Sequence, residues 1–387
     1  MEEDIPLDML NMIKQKKNEI CLFNTYAFLL IMTLTKAMGL STQDSLYFLM
    51  SKTGCAFWLI AFLFQKKQLK DWITVVITGA IIGCIYINNS SLVPVMFGMT
   101  IVILKDRDID IVLKRMGMLW LTVTIAGGVL SLVGVIPIEY HGMHNKVKMF
   151  YPGPNTFHMS VCIAMAYYYL LHEKTNFIIS AMLMFLNTGV FILSRSSGGV
   201  IIGYAIIILF SIWRYTKERA KLWQILVKLS GIMTTFLVAF SFIIGILYRA
   251  DKPVFVKLDR IFTNRVHVMR DIFNAYPITL FGQKLDGRLE YELMDNVFLD
   301  VLIEYGIVFF LVFIIMSVLV VRKLYISKKY EMAVLYCIFM VYGVVEKGVR
   351  HCFMNFTLLY FSVILWNASC IKEDINSERI ANSKKAF

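Results

Sequence analysis

Apolar segments of about bilayer-crossing length recur along this chain, at about 20–40, 44–64, 72–88, 91–104, 116–137, 155–171, 176–193, 197–213, 226–247, 296–321, 331–345 and 353–368. A helix needs roughly 20 residues to cross the hydrocarbon core. Within it, every backbone N–H and C=O has to be satisfied inside the spanning segment or a closed barrel, so long runs of this kind mean helices. The expected fold is an all-α polytopic membrane protein with about twelve transmembrane helices, forming a single integral-membrane domain over 1–387. Composition agrees: 58% of residues are hydrophobic and 17% charged, with a mean hydropathy of +0.67, outside the range of soluble domains. The fourth span is short and broken by Pro94, so with the third it reads as a full pair of crossings or a re-entrant hairpin around Asn88 and Asn89. The acidic start followed by Lys14, Lys16 and Lys17 before a long span does not resemble a cleavable signal.

Basic residues order these spans across the membrane. Lys14, Lys16 and Lys17, then Lys66, Lys67 and Lys70, then Lys105, Arg107, Lys114 and Arg115, then Arg214 to Lys228, then Arg322 to Lys329, then Lys372, Lys384 and Lys385 fall in alternate connections. The positive-inside rule places all of these, and both termini, in the cytoplasm. The net charge of +12 thus reflects topology and anionic lipid, not nucleic acid. The seven cysteines show no metal-ligand spacing and read as small core residues.

The same rule puts one long polar segment, 248–295, outside, between the ninth and tenth spans. Leu258, Ile261, Phe262, Met269, Ile272, Phe273 and Tyr276 recur there at helical spacing, with Arg260, Asn264, His267, Arg270 and Asp271 on the other faces. This is the pattern of an amphipathic helix on a membrane surface, ended by Pro277. Basic residues left outside run against the topology signal and are informative for that reason: Arg195, those of the long loop, and Lys347, Arg350 and His351.

Three outer clusters carry chemistry. Ser194 to Gly199 opens the eighth span, where helix N-terminal amides and an arginine fork suit a phosphate; snorkelling of Arg195 is the plainer alternative. Asn264, Arg265, His267 and Arg270 lie on the surface helix, where lipid headgroups would also satisfy them. Asp295 and Asn296 start the tenth span, Asp295 as an N-cap, as a carboxylate at a cavity mouth, or both. Glu346, Lys347, Arg350 and His351 read mainly as local caps and pairs.

In order along the chain, "PGPNTF", "LSRSSGG", "IFTNRVHVMRDIFNAYPITLFG" and "DNVFLDVLIEYG" resemble the O-antigen polymerase and ligase superfamily, and within it polymerases of capsular and exopolysaccharide repeat units. The resemblance covers about 150–310. It implies a GT-C-type membrane glycosyltransferase joining undecaprenyl-diphosphate-linked oligosaccharides on the outer face of the bacterial cytoplasmic membrane. It also implies that Arg195 and Arg265 hold the diphosphate. The family's Gly-Arg pair reads Asn264-Arg265 here, and the His-Asn of many ligases reads Asp295-Asn296, which favours the polymerase.

Transfer from a lipid diphosphate needs cationic groups for the leaving phosphates and a base for the acceptor hydroxyl. Asp295 is the expected base, with Glu292, His267, Glu346 and His351 as rivals. Arg260, Asn264, His267, Arg270, Ser196 and Asn296 are the further expected substrate contacts. No acidic pair has metal-site spacing, so no metal or other cofactor is expected. Expected partners are the lipid-linked glycan, membrane lipid, and a chain-length regulator and flippase of the same pathway. A ligase, or a flippase of such lipids, is the competing reading; a flippase calls for a twofold repeat or mid-span charges, and Lys36 and Lys52 are the main candidates for the latter.

Overall fold

The computed structural model describes residues 7–40, 44–141, 146–172, 176–262, 265–285 and 295–366. Its helices are α1 (Leu7–Ala37), α2 (Ser45–Phe64), α3 (Leu69–Asn89), α4 (Leu92–Ile103), α5 (Ile109–Leu132), α6 (Pro154–Leu171), α7 (Phe177–Ser194), α8 (Ser197–Thr216) and α9 (Ala220–Leu247). After them come α10 (Pro253–Ile261), α11 (Arg265–Ala275), α12 (Val297–Glu304), α13 (Gly306–Ile326), α14 (Tyr330–Tyr342) and α15 (Phe361–Leu365), with 3-10 turns at Lys347–Arg350 and Phe356–Tyr360. Between α5 and α6 a short ribbon pairs β1 (Tyr140–His141) antiparallel with β2 (Lys146–Val147), Tyr140 opposite Val147.

Eight helices, α1 (from Met12), α2, α3, α5, α7, α8, α9 and α13, are long and apolar enough to cross a membrane. Their outward faces carry Phe185, Ile192, Phe236, Ile315 and Val318, a surface that water would not tolerate and lipid does. The remaining expected spans are different in kind. Helices α4, α14 and the segment 356–365 are short apolar helices, and α6 carries Asn155, His158 and three tyrosines. These are mostly buried, so protein, not lipid, surrounds them. Pro94 stands in the first turn of α4, whose N-cap is Ser91, so it starts a helix where the sequence reading had it break one. Helix α3 runs unbroken to Asn89, and the Asn89 side-chain amide donates to the Glu304 carbonyl at 2.6 Å.

The expected tenth span, 296–321, is two helices. Gly306, at φ +83°, breaks it after Tyr305, and the chain from Thr279 to Gln283 docks on the break. Ile307 N–H donates to the Thr279 carbonyl at 3.0 Å, Val308 N–H to Leu280 at 3.2 Å, and Gln283 N–H to Glu304 at 3.2 Å. The first amides of α13 are thereby satisfied where a continuous helix would have used its own carbonyls. Gly282, also at positive φ, lies against Gly306 with no room for a Cβ on either.

The surface helix of the sequence reading is likewise two, α10 and α11. The apolar stripe of α11 packs inward: Met269, Ile272 and Tyr276 form one buried cluster with Leu299 and Ile303 of α12. Arg350 pairs with Asp300 and, at 2.8 Å, with Glu304, its guanidinium 5.3 Å from the Tyr305 ring centre. That ties the 347–350 turn to α12.

Candidate functional site

Helices α7 and α8 meet in a two-residue turn. Arg195 closes α7 with its N–H on the Phe191 carbonyl at 2.7 Å, in the left-handed region at φ +56°, and Ser196 caps α8 through Gly199 N–H at 3.3 Å. Beneath the turn a fully buried His158 links Ser194 Oγ (3.1 Å) to Asn187 Oδ1 (3.0 Å), and the Asn187 amide holds the Val200 carbonyl at 2.9 Å. Gly199 lets the His158 ring lie flush against α8. Underpinned this way, the turn sends the Arg195 side chain out, exposed and with no hydrogen bond or ion pair among the described residues.

That turn forms one wall of a cavity of about 470 Å³. Asn155 of the "PGPNTF" segment, Arg195 to Gly198, Arg265, His267, Asp295, Tyr342 and Glu346 line it, with Lys146 reaching in from β2. Segments distant in sequence therefore converge on a polar chamber at the start of α8, whose first amides have no partner within their helix.

Arg265 Nε donates to Asp295 Oδ2 at 2.8 Å. The N-cap of α12 is the neighbouring Asn296, whose side chain accepts from Phe298 and Leu299 N–H at 3.0 and 3.1 Å. The two roles considered for Asp295 are thus divided: Asn296, buried, caps the helix, and Asp295 pairs with the arginine. Val297 N–H reaches the Gly343 carbonyl at 2.7 Å, which keeps Asp295 beside Tyr342 and Glu346.

His267 Nδ1 lies 2.8 Å from Asp259 Oδ2, and the other Asp259 oxygen accepts from Val266 and His267 N–H at 2.8 and 3.1 Å. Asp259, on α10, so caps α11 across the break between them. Other expected contacts lie elsewhere. Arg270 Nη1 holds the Ile246 carbonyl in the last turn of α9 at 2.6 Å, a favourable place for a cation. Arg260 is exposed on α10 and does not line the cavity. Asn264 and Glu292 lie outside the described residues.

Lys146, Asn155 and Tyr342 join the site beyond the expected set, and Glu346, one of the rival bases, is in it too. Lys146 lies in a connection that the positive-inside rule assigns to the outer face, where a basic residue is against expectation. The buried Tyr342 hydroxyl stands next to Ser196 and makes no hydrogen bond of normal geometry among the described residues. Glu346 caps the 347–350 turn through Gly348 N–H at 3.4 Å while facing the cavity. Burial, reinforced by the charge of Asp295, pushes its carboxyl up to about 7.

A carboxyl whose folded-state pKa is above its unfolded value binds its proton more tightly when folded. Stability therefore falls as pH rises from the ordinary glutamate range to about 7, and levels off above. Glu346→Gln removes that penalty, about 3 kcal/mol at full ionisation. Thermal unfolding in detergent should show the variant gaining on the wild type between pH 5 and pH 8, and equal differences at both would show the carboxyl to be unperturbed.

No protein-family model matches the chain, and neither a curated protein nor a solved structure matches it.

Proposed function

We propose that this protein is a polysaccharide polymerase that joins undecaprenyl-diphosphate-linked oligosaccharide repeat units on the outer face of the bacterial cytoplasmic membrane, with both termini cytoplasmic. The observation that carries this reading is the meeting of Arg195 and Arg265 in one polar cavity at the N-terminus of α8. Two guanidinium forks and free helix amides can neutralise the charge that develops on a departing diphosphate.

A second feature supports a lipid-borne donor. Helices α9, α13 and α14 bound a cleft of about 1020 Å³, lined mainly by apolar side chains such as Phe242, Phe310 and Ile314. Phe298 and Met340 line it, within a turn of Asp295 and Tyr342 in the polar cavity. An isoprenoid chain fits the first and its diphosphate the second. A transporter has less to carry it: Lys36 is in the last turn of α1 with its ammonium 5.0 Å from the Tyr47 ring centre, which leaves Lys52, two turns into α2, as the one mid-span candidate of the two.

The test is the purified full-length protein in lipid nanodiscs with a lipid-diphosphate-linked repeat unit as the only glycan. A ladder of products is the expected result. A single transfer to a non-repeat acceptor would make it a ligase, and translocation in liposomes without bond formation a flippase.

A further inference from the structure

Resting on that reading, we infer that His267 is the base that takes the proton from the attacking sugar hydroxyl, with Asp259 as its positioning residue and Asp295 serving to aim Arg265. Three observations carry it. First, a carboxylate accepts and does not donate, so the 2.8 Å contact between Asp259 Oδ2 and His267 Nδ1 leaves the hydrogen of a neutral ring on Nδ1. The lone pair is then on Nε2, which has no partner among the described residues, on a side chain that lines the cavity.

Second, the dyad is rigid. Asp259, buried, is pinned by the Val266 and His267 amides, so it cannot swing away, and the ring is held in one tautomer and one plane. Third, Asp295 is already engaged. Its Oδ2 accepts from Arg265 Nε at 2.8 Å, and protonating it would release that arginine as the leaving diphosphate came to need it. The groups facing His267 are Asp259 from α10, the Tyr248 ring with its centre 6.4 Å away after α9, and, around the cavity, Lys146, Arg195, Arg265, Asp295 and Glu346.

The step balances without a co-reactant. The acceptor oxygen bonds to the anomeric carbon of the donor, and the bond from that carbon to the phosphate oxygen breaks with its electron pair going to the diphosphate. The hydroxyl proton passes to Nε2 and from there to water.

Chain extension by the full-length protein in nanodiscs, with the lipid-diphosphate-linked repeat unit as substrate, tests this. His267→Gln should lower kcat by about 10²- to 10⁴-fold, with KM near the wild-type value, and should lack the fall in kcat towards acid pH that is expected of the wild type. Asp259→Asn keeps an oxygen for the two amides but no longer fixes the tautomer; it should lose on the order of tenfold or more in kcat, and it carries the test if His267→Gln does not fold. Asp295→Asn, which frees Arg265, should also lower kcat but leave the acid limb in place. The inference is overturned if His267→Gln extends chains at the wild-type rate, keeps the acid limb, or loses activity through KM alone, and equally if Asp259→Asn is fully active. A wild-type protein that extends no chain would overturn the polymerase reading itself, which a silent variant beside an active wild type does not.

Discussion

Arg265→Ala is expected to slow chain extension by about a hundredfold or more, and Arg195→Ala by a similar factor, with both proteins at normal levels in the membrane. The magnitude is that of removing one preorganised donor from a site of developing negative charge. The two arginines are held in opposite ways. Arg265 is fixed by Asp295 and partly buried, so its loss also strands a carboxylate; removing both side chains together should restore stability without restoring rate. Arg195 is exposed and unpaired among the described residues, and it occupies a left-handed backbone position that disfavours any side chain by about 1–2 kcal/mol. Arg195→Gly should therefore hold or raise the unfolding temperature while losing activity as fully as Arg195→Ala. A glycine variant that still makes polymer would reduce Arg195 to part of the turn. Arg195→Lys and Arg265→Lys ask whether charge alone suffices, and full activity in both would refute a role for the bidentate fork.

The second large effect is structural. Gly306→Ala is expected to remove the folded protein from the membrane, and Gly282→Ala to do the same. A Cβ on Gly306 would clash with the Gly282 nitrogen and the Leu280 carbonyl oxygen, and one on Gly282 with the Glu304 carbonyl oxygen. Both clashes are with backbone, both residues are at positive φ, and relief would undo the hydrogen bonds that close the start of α13. A loss above about 4 kcal/mol is in keeping with such a site. Gly79→Ala and Gly231→Ala are the matched controls, since a Cβ there meets nothing within 4 Å and helix interiors favour alanine. Membrane abundance and thermal unfolding of the four variants check this, and wild-type levels of Gly306→Ala would mean that the loop does not dock as described.

Hydropathy made the helical, membrane-embedded character legible because the bilayer imposes a length on every crossing helix. It did not reveal the break at Tyr305–Gly306, since 296–321 is apolar on both sides of it and the cause is a loop docking from outside the run. Asp295 and Asn296 are both good N-cap types, so which of them caps is decided by where Arg265 stands. Arg195, Arg265, His267 and Asp295 were found from sidedness and resemblance, and the structure brings them together. Tyr342 and Lys146 escaped because their place in the site depends on a convergence of segments that no local pattern records, while Glu346, weighed as a base, read mainly as a local cap for the same reason. Asp259 escaped for a related reason: as one acid among many in a charged loop, it gains its meaning only once α10 and α11 fold against each other.

The bond between Arg350 and α12 also sets an order of events during synthesis. Arg350 follows Asp300 by 50 residues and Glu304 by 46, so at roughly 5–20 residues per second the ribosome takes roughly 2–10 s to supply the cation after the two acids. Through that interval the two acids of α12 lack the cation that pairs with them in the finished protein, which makes burying them as carboxylates costly. The Arg265–Asp295 pair and the loop at Gly282 both adjoin that helix, so their final arrangement waits until the 347–350 turn has been translated and drawn in.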